Sequence, residues 1–251
     1  MKTVYLGMTG DISGEARRGT YTMPRRGDKT KKVIFVLLTA FAGFLAASPV
    51  SAQEIVVEED FPLLTIESFY IQEQSREVER NKKLESLEYV RRAISKGDRG
   101  TEIQSALDKL ALEGVINQTR ENGRLANYPD VRTQAAIVLG EMGTPEAGNT
   151  LIKLILADYE PMVITEAIQS LTKIGITNKA GRAISQVVNR FDMLLPDNRM
   201  AYAALEAFDS LANKNNGQMD PLVLKTILRI TEGRYNGSVR ARANRLIADL
   251  Q

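Results

Sequence analysis

The sequence predicts an all-α protein, an α-α superhelix of about three to four helix pairs followed by a terminal helix. One helical face recurs four times in the second half of the chain, with members spaced by four, four and three residues, so each set lies along one side of a helix. The sets are Val131-Ala135-Leu139-Met142, Val163-Ala167-Leu171-Ile174, Met200-Ala204-Phe208-Leu211 and Val239-Ala243-Ile247-Leu250. They start 32, 37 and 39 residues apart, which is typical of a helical repeat array. Aromatic residues make up only 6% of the chain and Trp is absent, which favours helices over a β-sandwich.

The elements before the clear repeats are less regular. A helical pattern begins at Leu64, and a degenerate helix pair suited to capping one end of the array is predicted over 84–115, broken by a Gly-rich turn at 97–100. Residues 117–128 are rich in Asn, Gly and Arg and are predicted to form a loop.

The clear repeats begin at Asp130. In the first one, Thr144 is expected to cap the second helix and Pro145 to occupy its first position. The helices predicted from here on are 131–142, 146–157, 161–174, one around Ile184, 199–211, one starting at 220–221, and 239–250. The uneven spacing of the repeats predicts longer loops after Phe191 and Asn213, where a feature particular to this array is expected.

The N-terminus has the pattern of an export signal. Three lysines at 29, 31 and 32 precede an apolar run over 33–44, and small residues follow up to Ala52. We therefore expect cleavage after Ala52 and a periplasmic or secreted protein. Retention of the segment as a membrane anchor is the alternative, and translation starts at Met1 or at Met23.

The domain organisation follows from these patterns. Residues 1–52 are predicted to be an N-terminal lead and signal peptide, residues 53–83 an acidic arm and linker helix, and residues 84–251 the helical repeat domain. Residues 1–52 contain eight of the 33 basic and three of the 31 acidic residues, so the rest of the chain has 25 basic and 28 acidic ones. This mildly acidic balance removes the electrostatic support for nucleic-acid binding.

The composition also limits the chemistry of the chain. Cys and His are absent, so there is no thiolate nucleophile, no disulfide, and neither the commonest general base nor the commonest transition-metal ligand. Acidic pairs occur at Asp158 with Glu160 and at Asp192 with Asp197, and loop solvation or helix capping is the simplest interpretation of both. We expect no catalytic residues, no metal and no cofactor, and hence a protein that is not an enzyme.

Residues 131–147, Val-Arg-Thr-Gln-Ala-Ala-Ile-Val-Leu-Gly-Glu-Met-Gly-Thr-Pro-Glu-Ala, resemble a HEAT repeat of the short subclass that is associated with lyases. The Val-Arg start returns at Val239 and Arg240, whereas Ile164 and Ala201 stand where this family has Arg, so a continuous arginine ladder is not expected. The resemblance implies an α-α superhelix. It says little about activity, since HEAT-like folds include chromophore lyases and DNA glycosylases.

Two segments are candidates for partner binding. The first is a basic C-terminal patch of Arg229, Arg234, Arg240, Arg242 and Arg245, for which a solvated end-cap is the alternative. The second is the apolar part of the arm, with Ile55, Val57 and Phe61, which either binds a partner or folds back on the first helix pair.

The function predicted from these features is an exported scaffold for protein–protein interaction in the bacterial cell envelope. Membrane contact is expected only through an uncleaved signal segment, and no nucleic acid is expected. The alternatives are an accessory subunit or enzyme of the HEAT-like lyase type, and a basic patch that binds an anionic envelope ligand.

Overall fold

The computed structural model describes residues 61–121 and 123–250, and these form ten α-helices and one short hairpin. The helices are α1 (Phe61–Arg76), α2 (Arg80–Ser95), α3 (Thr101–Leu112), α4 (Pro129–Met142), α5 (Pro145–Ala157), α6 (Pro161–Ile174), α7 (Asn178–Leu194), α8 (Asn198–Lys214), α9 (Pro221–Glu232) and α10 (Gly237–Asp249). The hairpin pairs β1 (Arg120–Glu121) with β2 (Arg124–Leu125) inside the predicted loop. The predicted signal segment and residues 53–60 of the arm lie outside the described residues.

The helices stack in two rows. Helices α2, α4, α6, α8 and α10 pack successively side by side in one row, and α1, α3, α5, α7 and α9 do so in the other. The chain alternates between the rows, so in the register of the repeats α2–α3, α4–α5, α6–α7 and α8–α9 follow one another as four helix pairs before α10. Contacts between the rows also join one pair to the next, as between α5 and α6 and between α9 and α10. The predicted all-α superhelix is therefore confirmed.

The recurring apolar face forms the core between the rows. The four alanines at 135, 167, 204 and 243 are fully buried, as are Val163 and Phe208. The last helix differs from the prediction, because Leu246 is fully buried whereas Ile247 and Leu250 are only partly buried. The predicted register therefore holds for the first three faces, in which only Ile174 is partly buried, and for Val239 and Ala243 of the fourth.

Helices α4 and α6 approach each other closely at a glycine. A Cβ atom added to Gly140 would lie 2.7 Å from Ser170 Oγ and 2.8 Å from Ser170 Cβ. Real Cβ atoms do not come this close to their neighbours, so the missing side chain sets the spacing of the two helices.

Local signals at the helix ends agree with the sequence. Thr144 Oγ1 accepts a hydrogen bond of 3.2 Å from the backbone N–H of Ala147, and Pro145 is the first residue of α5. Gly143 ends α4 in the left-handed conformation, with φ of 70°. Within the described residues, none of the helices is both long and apolar enough to cross a membrane.

Candidate functional site

A buried ion pair holds the connection between α5 and α6. Arg132 Nε lies 2.7 Å from Asp158 Oδ2, and Nη2 lies 3.3 Å from Oδ1. The two side chains are only 2% and 1% exposed. Asp158 Oδ1 also accepts the backbone N–H groups of Tyr159 and Glu160. These contacts fix the geometry of the connection, because Asp158 is anchored to α4 and to its own loop at once.

The preceding helix pair repeats this device with different residues. Lys83 Nζ lies 2.7 Å from Glu113 Oε2, and both side chains are almost completely buried. In each pair the cation is the fourth residue of the first helix, and the acid follows the last residue of the second. Ile164 and Ala201 stand at the fourth position in α6 and α8, so the expected interruption of the ladder is what the structure shows.

In the next helix pair, Arg190 of α7 binds the backbone at the end of α5. Its Nη2 donates to the backbone oxygen of Asp158 at 2.6 Å, and its Nη1 donates to that of Leu156 at 3.1 Å. The same guanidinium lies 4.6 Å from the centre of the Tyr159 ring and 5.5 Å from that of Phe191. The end of α7 is thereby attached to the α5–α6 connection.

Large apolar side chains are exposed beside these contacts. They lie at the α5–α6 and α7–α8 connections and are Tyr159 (70% exposed), Met162 (56%), Met193 (78%), Leu194 (72%) and Leu195 (78%). We call this set the loop edge. It includes the segment after Phe191, but the longer loop predicted there is wrong, because α7 continues to Leu194 and residues 195–197 alone connect it to α8. The longer connection predicted after Asn213 is present at residues 215–220. Large apolar side chains exposed in this number at neighbouring helix connections are typical of interaction surfaces.

A groove lies between α5, α7 and the α8–α9 connection. It encloses about 890 Å³, within the range of about 300–1,000 Å³ typical of ligand sites. Ile152 and Leu156 contribute an apolar part of its lining. Its polar groups include Lys179, Arg182 and Gln186 on α7 and Asn216, Gln218 and Asp220 in the connection. We call it the polar groove; the sequence did not predict it, because its walls come from three segments that are more than 20 residues apart in the chain.

The five arginines of the predicted basic patch have different environments. Arg242 is 13% exposed and lies 2.6 Å from a Glu206 oxygen and 2.7 Å from an Asp209 oxygen, so two acids on α8 balance its charge. Arg229 donates to Asn189 Oδ1 at 3.2 Å. Arg234, Arg240 and Arg245 are exposed. Partner binding by the patch stays a prediction, with those three as its accessible members.

Of the three candidate binding residues in the arm, the described part of the chain includes only Phe61. Ile55 and Val57 lie outside the described residues, and Phe61 begins α1 with a side chain that is not described. Binding through the arm therefore stays a prediction as well.

The acidic pairs have structural contacts. Asp197 Oδ1 accepts the backbone N–H of Met200 at the start of α8, as expected of a helix cap. Asp158 is a buried ion-pair partner as well as a cap, which the sequence did not predict.

Burial raises the pKa of the Tyr235 hydroxyl, and the nearby Asp192 carboxylate raises it further. Among the described residues, no group of Asp and Glu side chains is arranged to hold a metal ion.

Comparisons with known proteins found a family model and a solved structure that resemble parts of this chain. The family model for HEAT repeats matches residues 124–212, which extend from β2 into α8. A solved structure with a similar arrangement is that of the complex of CpcE and CpcF of phycocyanin lyase from Nostoc sp. PCC7120. The match has 18% sequence identity and a TM-score of 0.49, and covers 82% of this chain and 70% of that chain. No curated protein matches the sequence.

Proposed function

Because residues 124–212 are HEAT repeats within a two-row helical superhelix, we propose that the chain is a scaffold that binds a protein partner through its loop edge. The observation that carries this proposal is the exposure of Met193, Leu194 and Leu195, each more than 70% exposed. Three consecutive apolar residues exposed in this way leave apolar surface in water that a partner would cover.

The loop edge is also held in place, which favours binding. Arg190 lies over the Tyr159 ring and is bonded to the backbone at 156 and 158, while Asp158 is fixed by Arg132. A surface that is already ordered loses less conformational entropy when a partner binds. The loop edge therefore combines apolar area with preorganisation.

The location of the scaffold is the second part of the proposal. The lysines at 29, 31 and 32, the apolar run over 33–44 and the small residues before Gln53 support export and a partner in the cell envelope. N-terminal sequencing of the protein from an envelope fraction should recover Gln53. Recovery of Met1 or Met23 from cytoplasm would contradict export and leave the binding proposal standing.

We assign no reaction to the chain, so the proposed scaffold acts by binding. The proposal rests on the exposed apolar residues and on the repeat architecture. An accessory subunit or an enzyme of the HEAT-like lyase type is the alternative that the resemblance of residues 131–147 implies.

Partner capture with matched variants tests the loop edge. The test variant replaces Met193, Leu194 and Leu195 with Ser, and the control replaces Leu224 and Leu228 on α9, which are 38% and 50% exposed. Native protein and control should retain the same protein from an envelope extract, and the test variant should lose it. Equal retention by all three proteins would overturn the proposal.

A further inference from the structure

The polar groove carries a second inference, which does not depend on the loop edge. Lys179 and Arg182 lie in the first turns of α7, whereas Met193 is at its end. Gln186 is the last groove residue on α7, and Met193 follows seven residues later, so at a rise of 1.5 Å per residue the two surfaces are roughly 10 Å apart along the helix. A ligand in the groove therefore contacts different residues from a partner at the loop edge.

The groove has an excess of positive charge. Lys179 and Arg182 face one carboxylate, that of Asp220, which lies 3.5 Å from Arg182. Asp220 also caps α9 by accepting the backbone N–H of Leu222. Among the described residues, Lys179 contacts the neutral Asn149 and no acid. The groove therefore favours a ligand with negative charge.

Side-chain amides make up much of the remaining polar lining. Asn178 and Gln186 come from α7, and Asn215, Asn216 and Gln218 come from the opposite connection. A primary amide both donates and accepts hydrogen bonds, so it matches the alternating N–H and C=O groups of an extended peptide. Asn215 Nδ2 donates to Asn178 Oδ1 at 2.9 Å and so joins the two walls, while Gln186 on one wall and Asn216 and Gln218 on the other remain to bind a peptide backbone.

The other lining residues narrow the class of ligand. Ile152, Leu156 and Met219 offer apolar surface for a side chain, and the lining contains no aromatic residue. Recognition of single-stranded nucleic acid relies on aromatic rings on which bases stack, so this lining fits a peptide better. The eight residues from Asn178 to Gln186 span about 12 Å of helix, the length of about four residues of extended chain.

We propose that the polar groove binds an extended acidic segment of a partner protein, about four residues long. Its carboxylates contact Lys179 and Arg182, its backbone contacts the side-chain amides, and an apolar side chain lies on Ile152 and Leu156.

Fluorescence anisotropy with peptide pools tests the proposal on the purified protein. The probe is a labelled pool Gly-X-Glu-X-Glu-X-Gly, in which X is an equal mixture of Ala, Val, Ile and Leu, and comparison pools have Gln or Lys in place of Glu. The acidic pool should bind at least about tenfold more tightly than the Gln pool, because charged groups strengthen hydrogen bonds. The variant Lys179→Gln with Arg182→Gln should remove that preference.

Two controls separate this site from general charge attraction. Lys153→Gln with Lys225→Gln removes two exposed cations outside the groove lining and should leave binding unchanged. Gln186→Ala with Gln218→Ala should weaken binding of the acidic pool and of the Gln pool by the same factor, because both pools use the same backbone contacts. The loop-edge variant should bind the acidic pool normally, so failure of one proposal does not imply failure of the other.

Three results would overturn the groove proposal. The first is that the acidic pool binds no more tightly than the Lys pool at protein concentrations up to about 1 mM. The second is that replacing Lys153 and Lys225 weakens binding of the acidic pool as much as replacing Lys179 and Arg182 does. The third is that vesicles containing phosphatidylglycerol bind through Lys179 and Arg182 whereas the acidic pool does not bind. That result would assign the groove to a lipid surface.

Discussion

At the scale of single residues, the buried ion pairs distinguish this array from a purely apolar stack. Arg132 and Lys83 are among the largest fully buried side chains of the described residues. A buried charge is stable only while its partner and hydrogen bonds remain in place. The cost of removing one partner is therefore much larger than the contribution of a surface ion pair.

Removal of the Asp158 carboxylate should destabilise the fold strongly. Asp158→Ala leaves the Arg132 guanidinium buried without its acid and also removes a loop cap, so a loss of about 3–5 kcal/mol in the free energy of unfolding is expected. Urea unfolding followed by circular dichroism measures it. The control Asp130→Ala removes a half-exposed ion pair with Arg80 and should cost less than about 1 kcal/mol. Similar losses in the free energy of unfolding for the two variants would show that the buried pair stabilises the fold no more than a surface pair does.

The contact at Gly140 makes a second prediction at this scale. Gly140→Ala places a methyl group against Ser170 and should cost about 1–3 kcal/mol, although Ala favours the helix. Adding Ser170→Gly should recover part of that loss.

Gly148 on α5 is the matched control for this substitution. A Cβ atom there meets nothing closer than 3.9 Å, so Gly148→Ala should be neutral or stabilising by up to about 1 kcal/mol. Thermal unfolding compares the two variants. Equal effects of Gly140→Ala and Gly148→Ala would contradict the close approach of α4 and α6.

At the scale of elements, Arg242 adds a polar attachment of the last helix to α8. Helix α10 buries only Val239, Ala243 and Leu246, which is the smallest buried apolar set of the four repeated faces. Burial acts to lower the pKa of Arg242, but its hydrogen bonds with Glu206 and Asp209 raise it overall. The arginine therefore stays charged and bonded over the whole physiological pH range.

Loss of Arg242 should loosen α10 without unfolding the rest of the chain. In Arg242→Met, backbone amides of α10 should exchange with solvent about tenfold faster, corresponding to roughly 1–2 kcal/mol, while those of α4 and α6 keep their rates. Arg245→Met removes an exposed cation that pairs with no acid in the described chain, so it should leave exchange in α10 unchanged. Equal effects of the two variants, measured by hydrogen exchange, would contradict the attachment.

At the scale of the whole molecule, the fold follows from local periodicity and could be predicted from the sequence. Spacings of four, four and three residues define a helix face directly, and a repeat of that face requires a stack. The exchange of Leu246 for Ile247 in the core of α10 shows the limit of this reasoning. Neighbouring apolar residues both lie near the face, and tertiary packing decides which of them is buried.

The candidate sites could be predicted only in part, because they depend on contacts between distant residues. The repeat spacing indicated the segment after Phe191, which became part of the loop edge. The pairing of Arg132 with Asp158 and the position of Arg190 over Tyr159 link residues 26 and 31 positions apart. Helix periodicity does not specify such contacts between elements, and the same holds for Arg242 with its two acids.

Photo-cross-linking in the living cell tests the scaffold proposal most directly. A benzophenone amino acid at position 194, in the loop edge, is compared with one at position 228 on α9, where Leu228 is also exposed. The scaffold proposal predicts a discrete adduct with a different protein of the cell envelope from position 194 and none from position 228. The absence of an adduct at position 194, equal adducts at both positions, or an adduct only between two copies of this chain would contradict it.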